Sequence, residues 1–210
     1  MSFFCNFQSD KCPGPINGNP LNGLCEKVCI QTKKVFDACM QQSQLTGIVL
    51  NITNLTPANP TYPLTFVSAK STTQAGIISN LLIEPLSERP HAARVKCDVI
   101  IPVSVAYTDA AGIEGTATAT VIVPKDVILN IPSASIIPFT VESVVSLVST
   151  LGTYTGENQF TIDCCASIVM KIVMEVELLV PSYGYTQIPP CQEYTQEVCA
   201  GFFELPMYPE

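Results

Sequence analysis

The sequence predicts an all-β protein, and three observations support this fold class. Apolar and polar residues alternate with a period of two along several segments, as they do in strands that bury one face. Turn-forming residues separate these segments at short intervals, and no long stretch has a convincing helical period. Together these features predict an antiparallel β-sandwich, jelly-roll or immunoglobulin-like, with roughly nine or ten strands.

The patterns divide the chain of 210 residues into three regions. Residues 1–24 are rich in Asn, Gly and Pro without periodicity, which predicts an irregular N-terminal arm that carries cysteines. Residues 25–180 contain the alternating segments and form the predicted sandwich. Residues 181–210 combine prolines with aromatic residues and predict a Pro-rich C-terminal tail.

The first segment of the sandwich, residues 25–44, allows two interpretations. One helical stripe would contain Cys25, Cys29, Thr32, Phe36 and Cys39. The stretch VCIQTKKVF within it nevertheless has the composition of a strand. We expect an extended segment with a turn near Asp37–Ala38.

Alternating segments follow along the rest of the core. Residues 95–107 and 113–123, joined by TDAAG, predict a long antiparallel hairpin. Pro102 lies within its first strand and cannot donate to a ladder, so we expect an edge or a bulge there. The other predicted strands are 47–55, 63–69, 76–84, 127–131, 139–147 and 159–180.

The run IDCCASIVMKIVMEVELLVP is the most apolar stretch of the chain. Its charges and its period of two, from Phe160 to Val180, exclude a membrane span and predict a strand. A strand of this length far exceeds the usual five or six residues or so. It must therefore bend, contain a bulge or pass between sheets. Cys164 should face the core and Cys165 the outside.

Ten cysteines suggest disulfides, although MSFFCNFQSDKCPGP lacks the features of a secretion signal peptide. The chain could be oxidised after its cell lyses, could keep reduced or metal-bound thiols, or could have lost a signal by processing. The intermolecular cross-link candidates are Cys5, Cys12, Cys165, Cys191 and Cys199. Phe3, Phe4 and Phe7 are candidates for docking the arm on a neighbour, the alternative being a mobile tail.

No catalytic set is recognisable in the sequence. The single histidine, His91, lies in a turn-like segment, and no nucleophile elbow, phosphate loop or zinc-protease motif is present. Cys25 and Cys29 could supply half of a zinc site, but no second close pair completes it. A net charge of −8 argues against nucleic acid and anionic membranes as partners. We expect a protein that is not an enzyme and has no cofactor or metal.

The segment VCIQTKKVFDAC resembles a motif of Cys-rich, spore-associated β proteins of clostridia and other Firmicutes. Some relatives in that group carry the SPOCS domain of spore-coat morphogenetic proteins. Residues 95–180 and the ending PPCQEY...CAGFFELPMYP are similar to the same group. This resemblance implies a spore-envelope location and a role in assembly. By architecture the chain is also similar to endospore appendage subunits, whose Cys-bearing arms bond to neighbouring subunits.

These observations predict a structural subunit that self-assembles into a disulfide-reinforced filament at the spore surface or cell exterior. Strand addition and disulfides would join copies of the chain, and a contact that does not close would give an open fibre. The alternative is a soluble module that recruits other spore-coat proteins. Ordered fibres from purified protein would favour the first hypothesis, and monodisperse particles that bind coat proteins the second.

Overall fold

The computed structural model describes residues 18–24 and 26–184. Within these residues the chain forms strands, turns and loops, and no helix. The all-β class predicted from the alternation is therefore confirmed. The strands are β1 (Glu26–Asn51), β2 (Thr53–Thr56), β3 (Thr65–Ser71), β4 (Ala75–Pro85), β5 (Ala92–Thr108), β6 (Glu114–Asn130), β7 (Thr140–Gly156) and β8 (Gln159–Ser182).

All eight strands belong to one sheet with the order β1-β8-β7-β3-β5-β6-β2. Strand β4 lies off this path and pairs with β5 and β7. Strands β3 and β4 pair with successive parts of β5, through Ser71 opposite Val103 and then Ile77 opposite Ile100. The two short strands thus act as one interrupted strand between β5 and β7.

The predicted hairpin is confirmed as β5 and β6. The two strands pair without a register shift from Ala92 opposite Asn130 to Thr108 opposite Glu114. The separate strand expected at residues 127–131 is wrong, because Val127 continues β6 and pairs with Val95. The inward positions of both strands are apolar except at Lys125, so the same alternation extends the ladder through this segment.

Pro102 lies neither at an edge nor at a bulge with β6, so that expectation is wrong. It sits in the central strand β5, directly opposite Thr120 of β6. Its carbonyl accepts a hydrogen bond of 2.9 Å from the Thr72 amide, on the side of β5 away from β6. Pairing of β5 changes there from β3 to β4. The missing N–H of proline is tolerated because no continuous partner strand occupies that position.

Strand β1 is continuous, and the turn expected near Asp37–Ala38 is wrong. The Asp37 carboxylate accepts hydrogen bonds from the Ala38 amide at 2.8 Å and the Asn130 amide at 2.7 Å. The side chain of Asn130 donates to the same carboxylate at 2.9 Å. Asp37 therefore links β1 to the end of β6, and the backbone around it remains extended.

The long segment predicted at 159–180 forms β8, and its pairing with β7 is irregular. The register shifts by one residue between Val148 and Leu151 and again between Tyr154 and Gly156. The expected alternation holds from Phe160 to Ile172, but Val173 is also buried and breaks it. The buried face of β8 thus ends well before Val180, the limit suggested by the sequence.

The hydrophobic core lies on one face of the sheet and draws on both hairpins. A single connected cluster joins the inward residues of β5, β6, β7 and β8 with residues of β1 and of the β1–β2 junction. Its largest fully buried side chains are Tyr107, Phe160, Leu50, Ile101, Leu129, Leu147, Ile162, Ile168, Met170 and Ile172.

The chain divides into two compact units. Gln31–Glu177 form the larger unit. The described part of the smaller unit comprises residues 18–24, 26–30 and 178–184. In this smaller unit the Tyr183 hydroxyl donates a hydrogen bond to the Pro20 carbonyl. No helix long and apolar enough to cross a membrane occurs among the described residues.

Candidate assembly surface

Of the residues predicted to act in assembly, only Cys165 lies in the part of the chain that the structure describes. The remaining candidates, Cys5, Cys12, Cys191, Cys199, Phe3, Phe4 and Phe7, lie outside the described residues.

The opposite orientations predicted for Cys164 and Cys165 are confirmed. Cys164 is 2% exposed and belongs to the core, whereas Cys165 is exposed on the outer face of β8. Burial raises the pKa of the Cys164 thiol, with smaller contributions from Cys165 and Asp163. Of the two neighbouring thiols, only that of Cys165 is accessible to another molecule.

Cys165 lies in an uncharged strip on the outer surface of β7 and β8. Val148 is directly opposite Cys165 in the ladder and is 56% exposed. A shallow groove of about 380 Å³ surrounds the pair and is bordered on the β1 side by Gln42, Ser43 and Gln44. We define the β7–β8 outer face as Val144, Ser146, Val148, Cys165, Ser167 and Val169, which pair with one another across the two strands.

Charged residues border this face without entering it. Lys70 of β3 is the ladder partner of Val148 on the side away from β8. On β8, Asp163 lies two residues before Cys165 and on the same face of the strand. Its carboxylate accepts a hydrogen bond of 2.8 Å from the Gly47 amide. The arrangement is an apolar and hydroxyl-bearing centre with a charged rim, which is the usual anatomy of a protein interface.

A second apolar patch was not anticipated from the sequence. Ile77, Ile100 and Ile122 occupy matching positions on β4, β5 and β6 and form a row across the outer face. Ile77 is 56% exposed and Ile122 is 58% exposed, and Ile100 between them is half-buried. The detectable sign was a large branched aliphatic residue at an outward position of each strand, where the alternation calls for a polar one.

The structure also contains a buried lysine that the sequence analysis did not predict. Lys125 occupies an inward position of β6 and is 6% exposed. Its Nζ donates a hydrogen bond of 2.9 Å to Oε1 of Gln41 on β1. In the sequence Lys125 interrupts the inward series Val121, Val123 and Val127, and that interruption was the available indication.

The weaker candidates for chemistry are placed as follows. His91 is exposed, has a φ of 71°, and lies in the turn before β5, where its carbonyl accepts a hydrogen bond of 2.7 Å from the Ile131 amide. Cys29 is exposed and Cys39 is half-buried, while Cys25 lies outside the described residues. Across residues 18–24 and 26–184, no three His, Cys, Asp or Glu side chains converge as a metal site would require.

Comparison of the chain with protein-family models, with curated proteins and with solved structures gives no match. Function must therefore be inferred from the chain's own residues and their arrangement.

Proposed function

We propose that the chain is a structural subunit, a β-sandwich that self-assembles into a disulfide-reinforced filament at the spore surface or cell exterior. The observation that carries this proposal is the β7–β8 outer face, an uncharged, partly apolar strip that presents the thiol of Cys165. Contiguous exposed apolar surface on a folded chain commonly marks an interaction site.

A second copy of the chain is the occupant that fits this face best. The chain carries a net charge of −8, so two copies repel one another wherever their acidic surfaces approach. An uncharged strip is the region where that repulsion is smallest. A strongly basic or acidic partner would find no complementary charge among its six residues, which are valines, serines and a cysteine.

Two different apolar patches favour an open assembly over a closed dimer. The β7–β8 outer face and the isoleucine row of Ile77, Ile100 and Ile122 differ in composition, since only the first contains a thiol and serines. If one patch of a subunit contacts a different surface of the next, the contact is heterologous and can repeat along a fibre. A disulfide from Cys165 to a cysteine of the neighbouring copy would then fix each contact covalently.

The terminal arm is the proposed donor to this contact. Phe3, Phe4 and Phe7 would each bury on the order of 150 Å² or more against a neighbour, and Cys5 and Cys12 lie among them in the sequence. Residues 18–24 form turns, and the Pro20 carbonyl accepts a hydrogen bond from Tyr183, so the reach of the arm is counted from Gly18. The roughly 11 residues from Gly18 back to Phe7 could span some 36 Å at about 3.3 Å each. Such a reach would let the arm of one subunit extend to the Cys165 face of another.

Non-reducing gels and negative-stain microscopy of purified protein test this proposal. We expect ordered fibres and a ladder of covalent species that reductant collapses to the 22.6 kDa chain. Cys165→Ser should remove one of the disulfides that link subunits. The non-reducing gel should then show more monomer and fewer covalent oligomers. Cys29→Ser is the matched control, because Cys29 is also exposed on a strand and is not part of the outer face.

A second pair of variants tests the arm. Deletion of residues 1–12 should leave β-type circular dichroism unchanged and abolish or weaken assembly. Replacing only Cys5 and Cys12 by serine should retain fibres but make them sensitive to heat or detergent. Monodisperse wild-type particles that bind coat proteins would instead support the adaptor function. Fibres of normal length and resistance from the truncated chain would show that the arm has no part in the contact.

A further inference from the structure

Three turns lie together at one end of the larger unit, where the β5–β6 and β7–β8 ladders both end. Hydrogen bonds join these turns to one another. The Ala110 amide donates to the Thr61 carbonyl at 2.9 Å, and the Tyr62 hydroxyl donates to Oδ1 of Asn158 at 2.6 Å. We call this connected surface the turn end, and it comprises residues 57–64, 109–113 and 157–158 with the adjoining Glu114.

The turn end exposes two large apolar side chains, and its charges are all negative. Ile113 is 54% exposed and Tyr62 is 48% exposed. Glu114 and Glu157 are exposed, and neither forms an ion pair in the part of the chain that the structure describes. These turns contain no lysine or arginine. Two turn ends would therefore repel one another, which disfavours a contact of this surface with itself.

The opposite end exposes apolar side chains next to a cation. We call it the loop end, and it comprises residues 86–91 and 131–139, which adjoin the paired residues Ala92 and Asn130. The loop 131–139 has no charged residue, and in it Ile136 is 102% exposed and Ile137 is 52% exposed. The Ser135 hydroxyl donates to the Ile137 carbonyl at 2.6 Å. In the adjacent loop Arg89 is exposed and, among the described residues, without an ion pair, while Glu88 balances its formal charge.

Charge is unequal along the whole larger unit as well. Ile100 opposite Ile122 marks the middle of one hairpin, and Val148 opposite Cys165 marks the middle of the other. Between these positions and the turn end, Lys70 is the only cation of the described unit, and the carboxylates are Asp109, Glu114, Glu157 and Asp163. The half next to the loop end holds the unit's other lysines and arginines, at 33, 34, 89, 94, 96, 125 and 171. Such a charge distribution favours head-to-tail over head-to-head approach of two copies.

We propose that the loop end of one copy binds the turn end of the next, with the apolar loop 131–139 against Ile113 and Tyr62 and with Arg89 facing the turn-end carboxylates. This inference rests on the proposed function and names the contact that extends the filament along the strand direction. A second copy is the occupant because the same chain supplies both apolar centres and the opposite charges beside them. The contact is heterologous, so each bound copy keeps one free end and addition continues. Disulfides and arm contacts elsewhere on the subunits would strengthen it by raising its effective concentration.

Two variants that each block one end test the proposal in full-length protein kept reduced. Ile136→Asp changes the loop end and Ile113→Asp the turn end, at exposed positions where circular dichroism should show an unchanged fold. We expect fibres from the wild type in negative stain and mainly monomers from each variant alone. An equimolar mixture should give pairs of twice the 22.6 kDa chain mass in sedimentation velocity, because one intact loop end can still bind one intact turn end.

An exchange of charges tests the polar part of the contact. Arg89→Glu should raise the protein concentration needed for fibres about tenfold, because it places like charges opposite one another. Combining it with Glu114→Arg or with Glu157→Arg should restore assembly in at least one of the two double variants. Rescue by neither would overturn the pairing of these two ends.

Ile128→Asp is the matched control, since Ile128 is 56% exposed on the outer face of β6 and belongs to neither end. It should retain fibres. Fibres from Ile136→Asp and Ile113→Asp alike, or wild-type fibres that form only when the cysteines are oxidised, would overturn this inference and leave the proposed filament intact. Monodisperse wild-type protein under both redox conditions would overturn the filament and the end contact together.

Discussion

The β5–β6 and β7–β8 hairpins share an alternation of buried and outward positions but differ in regularity. Strands β5 and β6 keep one register over their full length of 17 residues each. Strands β7 and β8 shift register twice, each time because β7 contains one extra residue. Both hairpins alternate apolar and polar positions, so alternation alone does not determine how regular a ladder is.

The irregular hairpin replaces lost ladder bonds with side-chain contacts. At its first bulge the Ser149 hydroxyl is buried and lies 3.1 Å from the Leu151 carbonyl and 2.7 Å from the Asp163 carbonyl. Beyond the bulge, Gly152 admits the ring of Phe66, since a Cβ at this position would lie 2.7 Å from the ring. Particular side chains thus fix the register of β7–β8, whereas many equivalent residue pairs together fix the register of β5–β6.

The largest effect should come from the aromatic cluster that supports the irregular hairpin. Phe160 is 0% exposed, and its ring centroid lies 5.4 Å from that of Phe66 and 5.5 Å from that of Tyr154. Phe160→Ala should lower the free energy of unfolding by about 3–5 kcal/mol. Ile101→Val, in the equally buried centre of β5, should lower it by only about 1 kcal/mol.

Urea unfolding followed by circular dichroism measures both variants under the same conditions. The Phe160→Ala variant also tests whether the loss of stability is confined to the β7–β8 hairpin. Hydrogen exchange should show loss of protection mainly in β7 and β8 for Phe160→Ala. Equal loss of protection in β5 and β6 would show that Phe160 acts through the core that the two hairpins share and not through contacts local to β7 and β8.

The turns of the two hairpins should differ in their response to acid. The turn of β5–β6 is organised by Asp109, whose carboxylate accepts hydrogen bonds from the amides of Thr61, Ile113 and Ala111 at 3.0, 2.8 and 2.9 Å. These bonds, that from Thr61 first, lower the pKa of Asp109 in the folded protein. The stabilisation is complete above the pKa of an unfolded Asp and is lost as the pH falls through the lower native value.

Asp109→Asn should therefore destabilise the protein at neutral pH and reduce its loss of stability on acidification. Urea midpoints for wild type and variant should converge between about pH 5 and pH 2. The turn of β7–β8 has no carboxylate in an equivalent role among its described contacts, so Glu157→Gln is the control and should leave the pH dependence nearly unchanged. A constant difference between wild type and Asp109→Asn across this range would refute the role assigned to Asp109.

Much of the fold was predictable because it depends on a period of two. The β5–β6 hairpin and the opposite faces of Cys164 and Cys165 follow from alternation. Length predicted an irregularity in the long strand β8, whereas both extra residues of the β7–β8 ladder lie on β7. The errors arose where a residue has a local preference that a distant contact overrides. Asp37 favours turns, but the Asn130 amide holds it in an extended strand, and Pro102 is tolerated in a central strand by a change of partner.

The candidate sites were only partly predictable, for a related reason. The exposure of Cys165 follows from its strand, whereas its uncharged neighbours on β7 depend on a register that bulges determine. The row of Ile77, Ile100 and Ile122 requires the pairing of three strands, which one strand's pattern cannot supply. The Lys125 and Gln41 contact joins residues 84 apart, and no local sequence feature links the two.

The smallest expected effect concerns the turn of the β7–β8 hairpin. Glu157 and Asn158 form the two-residue turn of β7–β8, with φ values of 50° and 58° between the paired residues Gly156 and Gln159. Asn is well suited to positive φ because its side chain bonds locally, whereas Glu is not. Glu157→Asn should therefore raise the free energy of unfolding by about 0.5–1 kcal/mol, because αL geometry costs glutamate roughly 1–2 kcal/mol.

In this experiment Asn158 is left unchanged, since it accepts hydrogen bonds from the Tyr62 hydroxyl at 2.6 Å and the Ile52 amide at 2.9 Å. Urea midpoints of the variant and of Ala111→Asn, an exchange at a β5–β6 turn position whose φ is not positive, would be measured together. A gain confined to Glu157→Asn would show that the turn limits the stability of the irregular hairpin, and a loss would show that the Glu157 side chain stabilises it by another contact.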